Sequence, residues 1–171
     1  MPLTPTGLIS LPKSQLRTIV SGIAAFQARV GAANATAALA RIYRTAMKVV
    51  LPDASAESKR PFAVICTPDD LAARLDSVGP KHFLDARGGL SLYLTDRDRF
   101  PNDIEESTVD FENFVGAVWE GIDDAAGDGS AGDALGITSI ELELQPQLVG
   151  FDRSKAQEAY WQAALVVRWE A

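Results

Sequence analysis

Residues 158–171 read EAYWQAALVVRWEA, and the architecture expected for the whole chain turns on them. Trp161, Ala163, Leu165, Val167 and Trp169 fall on alternate positions, with Gln162, Arg168 and Glu170 between them. A period of two marks a β-strand with one face more polar than the other. Terminal segments usually fray, but one carrying two of the three tryptophans at this spacing is predicted to be a strand within a sheet. Upstream, ITSIELELQPQ (137–147) sets Ile140, Leu142 and Leu144 against Ser139, Glu141 and Glu143. The two strands are expected to pair through the connection LVGFDRSKAQEA, the last strand lying beside residues 137–146.

The same arithmetic extends toward the N-terminus. GGLSLYLTD (88–96) alternates Leu90, Leu92 and Leu94 with Ser91, Tyr93 and Thr95, a half-buried strand. FAVICT (62–67) is a brief, partly β-branched apolar run and reads as another strand. The helical period appears in TVDFENFVGAVWEGIDDAAG, where Phe111, Phe114, Val115, Val118, Trp119 and Ile122 form one stripe. TPDDLAARLDSVG has Thr67 to cap, Pro68 at the first position, Asp69 and Asp70 at the positive end and Gly79 to stop. LPKSQLRTIVSGIAAFQARVG is predicted to be a helix with Pro12 in its first turn and Gly31 as its left-handed stop. NATAALARIYRTAMKVVL follows as a second helix, with Asn34 as cap and Leu39, Ile42, Tyr43, Ala46, Met47 and Val50 as its stripe. Alternatively the two form one helix kinked near Gly31.

The expected architecture is a single α+β domain over residues 1–171. It has a mostly antiparallel four-stranded sheet with helices packed on one face (60–171) and an extended N-terminal helical region (12–51). PDASAESKRP reads as a linker and GDGSAGDALG as a flexible acidic loop.

The 171 residues are 47% hydrophobic and 23% charged, with a net charge of -7, a globular composition that repels phosphate backbones. One cysteine, Cys66, and one histidine, His82, cannot make an internal disulfide or complete a usual zinc site. The start lacks the order of a signal peptide, and no apolar run reaches the ~20 residues that span a bilayer. Synthesis in a reducing cytoplasm, and no membrane partner, are the expectation.

No constellation of catalytic type stands out. Cys66 ends an apolar strand, where a thiol is ordinarily inert, and His82 follows GPK in a loop. The acidic pairs Asp69–Asp70, Glu105–Glu106, Asp123–Asp124 and Glu141–Glu143 each have a local explanation as caps, helix ends or a wet strand face. DDAAGDGSAGD places its glycines at the wrong offset for a calcium loop and lacks the closing glutamate. No catalytic residue, cofactor or metal is therefore assigned.

The order of elements, from RPFAVI through DFENFVGAVWEGI to the closing EAYWQAALVVRWE, resembles that of bacteriophage tail terminator (tail completion) proteins. In that family a small α+β domain often closes with an aromatic residue entering a strand of the form x-L-x-V-x-W. The likeness is one of layout, spanning most of residues 60–171. It implies a structural virion protein of the tail and neck, made in the host cytoplasm, that forms a homo-oligomeric, six-fold ring. The ring caps the tail tube protein, stops its polymerisation and offers a surface to the head–tail connector protein. An acidic lumen would let DNA pass without specific binding.

Contact residues are expected where the chain is irregular or locally basic. They are Arg97 and Arg99 in the 95–107 segment, Asp128 and Asp133 in the 127–136 loop, and the basic face of Arg41, Arg44 and Lys48. TDRDRF reads as a solvated strand end, or as a polar contact with a neighbouring subunit. Trp169 has the better claim of the two closing tryptophans to reach a partner, although core under the helices is its leading reading. The competing readings are another neck protein, a connector or stopper, and a small cytosolic ligand-binding or enzymatic domain.

Overall fold

A computed structural model of the chain describes residues 7–44, 60–66, 87–127, 136–149 and 159–170. Within them the chain is α+β, built on a five-stranded mixed sheet. The strands are β1 (Ile42–Tyr43), β2 (Phe62–Cys66), β3 (Arg87–Arg97), β4 (Ile137–Val149) and β5 (Tyr160–Glu170). Their order across the sheet is β1-β2-β3-β5-β4. The closing strand is thus internal to the sheet, antiparallel to β3 on one side and to β4 on the other. The expected pairing with 137–146 is present, and a second partner fixes the other edge.

The fifth strand corrects the four-stranded expectation. Ile42 and Tyr43 lie parallel to Ala63 and Val64, not on a second helix. That helix is reduced, among the described residues, to the single turn α3 (Ala35–Ala38) and a 3-10 turn, Leu39–Arg41. Asn34 does cap it, accepting the Ala37 N–H at 2.9 Å. Ile42 enters the core under the helices, and Tyr43 meets Phe62 edge-on at 5.5 Å on the opposite face. A short apolar run satisfies both periods, and pairing with β2 decides between them. The remainder of the predicted helix, 45–51, lies outside the described residues, as does the predicted helix over 67–79.

The first helix is two. Helix α1 (Gly7–Gly22) begins before Pro12, so that proline lies inside it. It breaks at Ile23, where ψ is 121°, and α2 (Ala24–Val30) continues to Gly31, whose φ of 67° is the expected left-handed stop. Gln27 secures the break by donating its side-chain amide to the Ser21 carbonyl at 2.8 Å.

Helix α4 (Ile104–Gly127) starts earlier than its apolar stripe. Asp103 accepts the Glu106 N–H at 3.0 Å, and Glu105 and Glu106 meet the positive helix end. Together with the extent of β3, this leaves only residues 98–103 of the 95–107 segment irregular.

Helices α1, α2 and α4 pack together on one face of the sheet, α1 over β2 and α4 over β4 and β5. Between them and the sheet lie Phe26, Phe111, Phe114, Leu90, Leu92, Leu94, Leu165 and Val167. The other face is not uniformly wet. Phe62, Val64, Ser91, Thr95, Ala164 and Val166 are buried there, and solvent reaches it at Glu141 and Glu143 on the outer strand. Pro146 is accommodated because β4 is an edge strand, where a missing donor breaks no ladder.

Candidate assembly surface

Among the described residues, a cluster of charge sits where β3 meets the helices. Arg29 of α2 bonds Asp96 and grips Asp110 of α4 at two points, Nη1–Oδ1 at 2.9 Å and Nη2–Oδ2 at 2.6 Å. Arg99 adds a bond from Nε to Asp96 at 3.0 Å, and the Arg97 N–H reaches Asp96 at 2.7 Å. Asp96 is only 1% exposed, so these bonds replace the water it has lost. Burial works against the Arg29 charge, but its hydrogen bond to Asp110 and the charge of Asp96 outweigh it and raise its pKa. The bond from Arg29 in turn holds the Asp110 carboxyl below its ordinary value. Arg29 also lies 5.0 Å from the Phe114 ring centroid.

Beside this cluster, Ser107 donates to Asp98 at 2.5 Å and accepts the Trp161 indole N–H at 2.7 Å. The Trp161 ring stacks on Phe111 with centroids 5.7 Å apart. Charge and aromatic surface here join α2, α4, β3 and β5. Every carboxylate in the group is held by a donor within the chain, and the arrangement is structural.

The outward-facing features are different. Trp119 is 39% exposed and Leu142 is 49% exposed, although the Trp119 indole approaches the Ile140 carbonyl at 3.4 Å. Ile104 and Val109 are also exposed, beside Glu105 and Thr108 at the start of α4. A shallow groove of about 520 Å³ runs between the α1–α2 break and α4, floored by small residues and edged by Glu120 and Asp124. The Trp119 position corrects its placement in an unbroken core stripe: it lies on the flank of the helix.

The anticipated contact residues fare unequally. Arg44 is exposed at the end of β1, and Arg41 is half-buried in the 3-10 turn. Lys48, Asp128 and Asp133 lie outside the described residues, as does His82. Arg97 and Arg99 are both exposed, and Arg99 also bonds Asp96 and, at 3.2 Å, the Arg29 carbonyl. Within TDRDRF, Asp96 is thus a buried ion-pair anchor between two exposed arginines. Trp169 is 8% exposed and belongs to the main core, which removes it from the exposed anchors and leaves its core reading standing. Cys66 ends β2 opposite Ser91. No group of three metal-ligating side chains converges among the described residues.

Sequence reasoning missed the triad of Arg29, Asp96 and Asp110 because its members are 67 and 81 positions apart from Arg29. Nothing in local periodicity announces such a meeting. The exposure of Leu142 was equally hidden, since alternation assigns it a face but not a cover.

Compared with known proteins, the chain matches no family and no curated sequence. None of the helices in the described residues is long and apolar enough to cross a membrane.

Proposed function

We propose that the protein is a tail terminator, a structural virion subunit that works by forming a ring on the end of a phage tail tube. The observation that carries this reading is the exposed apolar surface along α4 and the outer strand, comprising Ile104, Val109, Trp119 and Leu142. Exposed large apolar side chains at two places along α4, Ile104 and Val109 at its start and Trp119 further on, set among acidic residues, suit a surface that another protein covers. The layout of residues 60–171, with its internal closing strand, supports the same reading.

In this mechanism no bond is made or broken. A heterologous contact that closes on itself fixes the size of the ring. One face of the ring matches the last tube subunits, and the other presents a surface that further tube subunits do not fit, so growth stops. The connector then docks on that second face. The net charge of -7 keeps DNA passing through the lumen from sticking.

The test is polymerisation of tail tube protein with and without this chain, read as tube length by electron microscopy. Length-limited, capped tubes are expected. Tubes that grow unchanged, with the chain binding portal–adaptor assemblies instead, would make it a stopper. Turnover of a small metabolite by the isolated chain would replace both.

A further inference from the structure

Charge is divided unevenly along this chain. Residues 1–52 hold six of its 16 Lys and Arg and none of its 23 Asp and Glu. Helix α4 is the reverse, with seven acids and neither Lys nor Arg. Arg29 is paired with Asp110 of α4, but Lys13, Arg17, Arg41 and Arg44 lie toward one end of the sheet, and Glu105, Glu112 and Asp123 of α4 lie toward the other. Strand β1 forms one end and β4 the other, with α1 lying toward the first and α4 toward the second.

At the β1 end, Arg44 is exposed, Arg41 precedes it in the 3-10 turn, and Arg17 donates to the Leu39 carbonyl of that turn at 2.5 Å. Burial and then the Arg44 charge push the Arg17 guanidinium below its ordinary value, as expected where like charges are crowded. Lys13 is one turn from Arg17 on the same side of α1.

At the β4 end, Glu105, Glu112 and Trp119 recur every seven residues, and Asp123 follows one turn later. This spacing puts all four on one flank of α4. It is the flank toward β4, because Trp119 contacts Ile140 there. Glu105, Glu112 and Asp123 are exposed, with no ion-pair partner among the described residues. Leu142, two residues along β4 from the Ile140 that Trp119 contacts, adds exposed apolar surface on this edge.

We propose that copies of this chain associate head to tail, the acidic, tryptophan-bearing α4/β4 edge of one copy docking against the basic α1/β1 edge of the next. A second copy is the occupant that satisfies both edges at once. A polyanion would suit only the basic end and would be repelled by the rest of the surface. Trp119 and Leu142 supply the buried centre of the contact, and the flanking charges set orientation and encounter rate. Such a contact is heterologous and repeats from copy to copy. It rests on the terminator reading only for closure into a ring.

Sedimentation velocity at low ionic strength tests it without any tube protein, using two variants, R41E/R44E and E112K/D123K. Thermal melting verifies that each keeps its fold. The wild-type chain is expected to self-associate at up to roughly millimolar concentration and to dissociate as salt shortens the range of the charges. Each variant alone is expected to stay monomeric, and their equimolar mixture to associate, because the altered edge of one fits the unaltered edge of the other. W119A should weaken association by at least about tenfold. A wild-type chain that stays monomeric, variants that associate as wild type does, or a mixture without rescue would each overturn the proposal. Tube capping that survives E112K/D123K overturns this contact and keeps the terminator reading. Charge-dependent self-association without tube binding does the opposite.

Discussion

A Cβ on Gly121 would lie 2.9 Å from both Cγ atoms of Ile23, closer than packed carbons approach. Ile23 sits at the α1–α2 break, so glycine here lets α4 pack close against that break. Gly121→Ala gains about 1 kcal/mol of helix propensity and loses about 1–3 kcal/mol to overpacking, for a net loss of up to about 2 kcal/mol. Gly116 has nothing within 4 Å of the same position. Gly116→Ala should therefore stabilise by about 0.5–1 kcal/mol. Urea denaturation of the two variants is expected to give opposite signs.

Removing Arg29 leaves Asp96 buried with only Arg99 and a backbone donor. Arg29→Met should cost about 3 kcal/mol, by the usual penalty for stranding a buried charge. The same ion pair makes stability depend on pH. Asp110 is depressed by Arg29, so its contribution is present at neutral pH. It begins to fall as pH drops to the ordinary carboxylate value and is gone below the depressed one. Asp110→Asn should flatten this acid limb in thermal melts taken between about pH 5 and pH 2.

Ser107→Ala removes the one hydroxyl that joins the Trp161 indole to Asp98. The buried indole N–H then has no acceptor, at a cost of about 1–2 kcal/mol. Trp161 fluorescence and the denaturation midpoint should shift together.

The exposed and buried tryptophans should separate cleanly. Trp169→Ala opens the main core and is expected to cost about 3–5 kcal/mol. Trp119→Ala should cost about 1 kcal/mol or less, since much of that ring already faces solvent. Equal losses would place Trp119 in the core and remove it from the assembly surface.

Strands β2, β3, β4 and β5 were legible because each keeps a period of two, or a short apolar run, over enough residues. Helix α4 was legible from its stripe, yet its first turn was not, because Asp103, Glu105 and Glu106 act through caps and the helix dipole and carry no apolar mark. Ile42 and Tyr43 were misread as helix, since two residues cannot distinguish a period of two from 3.6 and only their partners Ala63 and Val64 decide. The buried second face escaped notice because Ser91 and Thr95 look like solvent-facing residues in the sequence. At the candidate surface, Arg44 is exposed in the locally basic setting the sequence shows, whereas Trp119 and Leu142 were assigned inward by patterns that give direction without cover.

Cryo-electron microscopy of tail tube ends formed in the presence of this chain would show the ring itself. A closed collar of density is expected on each tube end, with the α4/β4 edge of every copy against the α1/β1 edge of its neighbour. Bare ends on tubes of unrestricted length, with the chain left free in solution, would refute the ring.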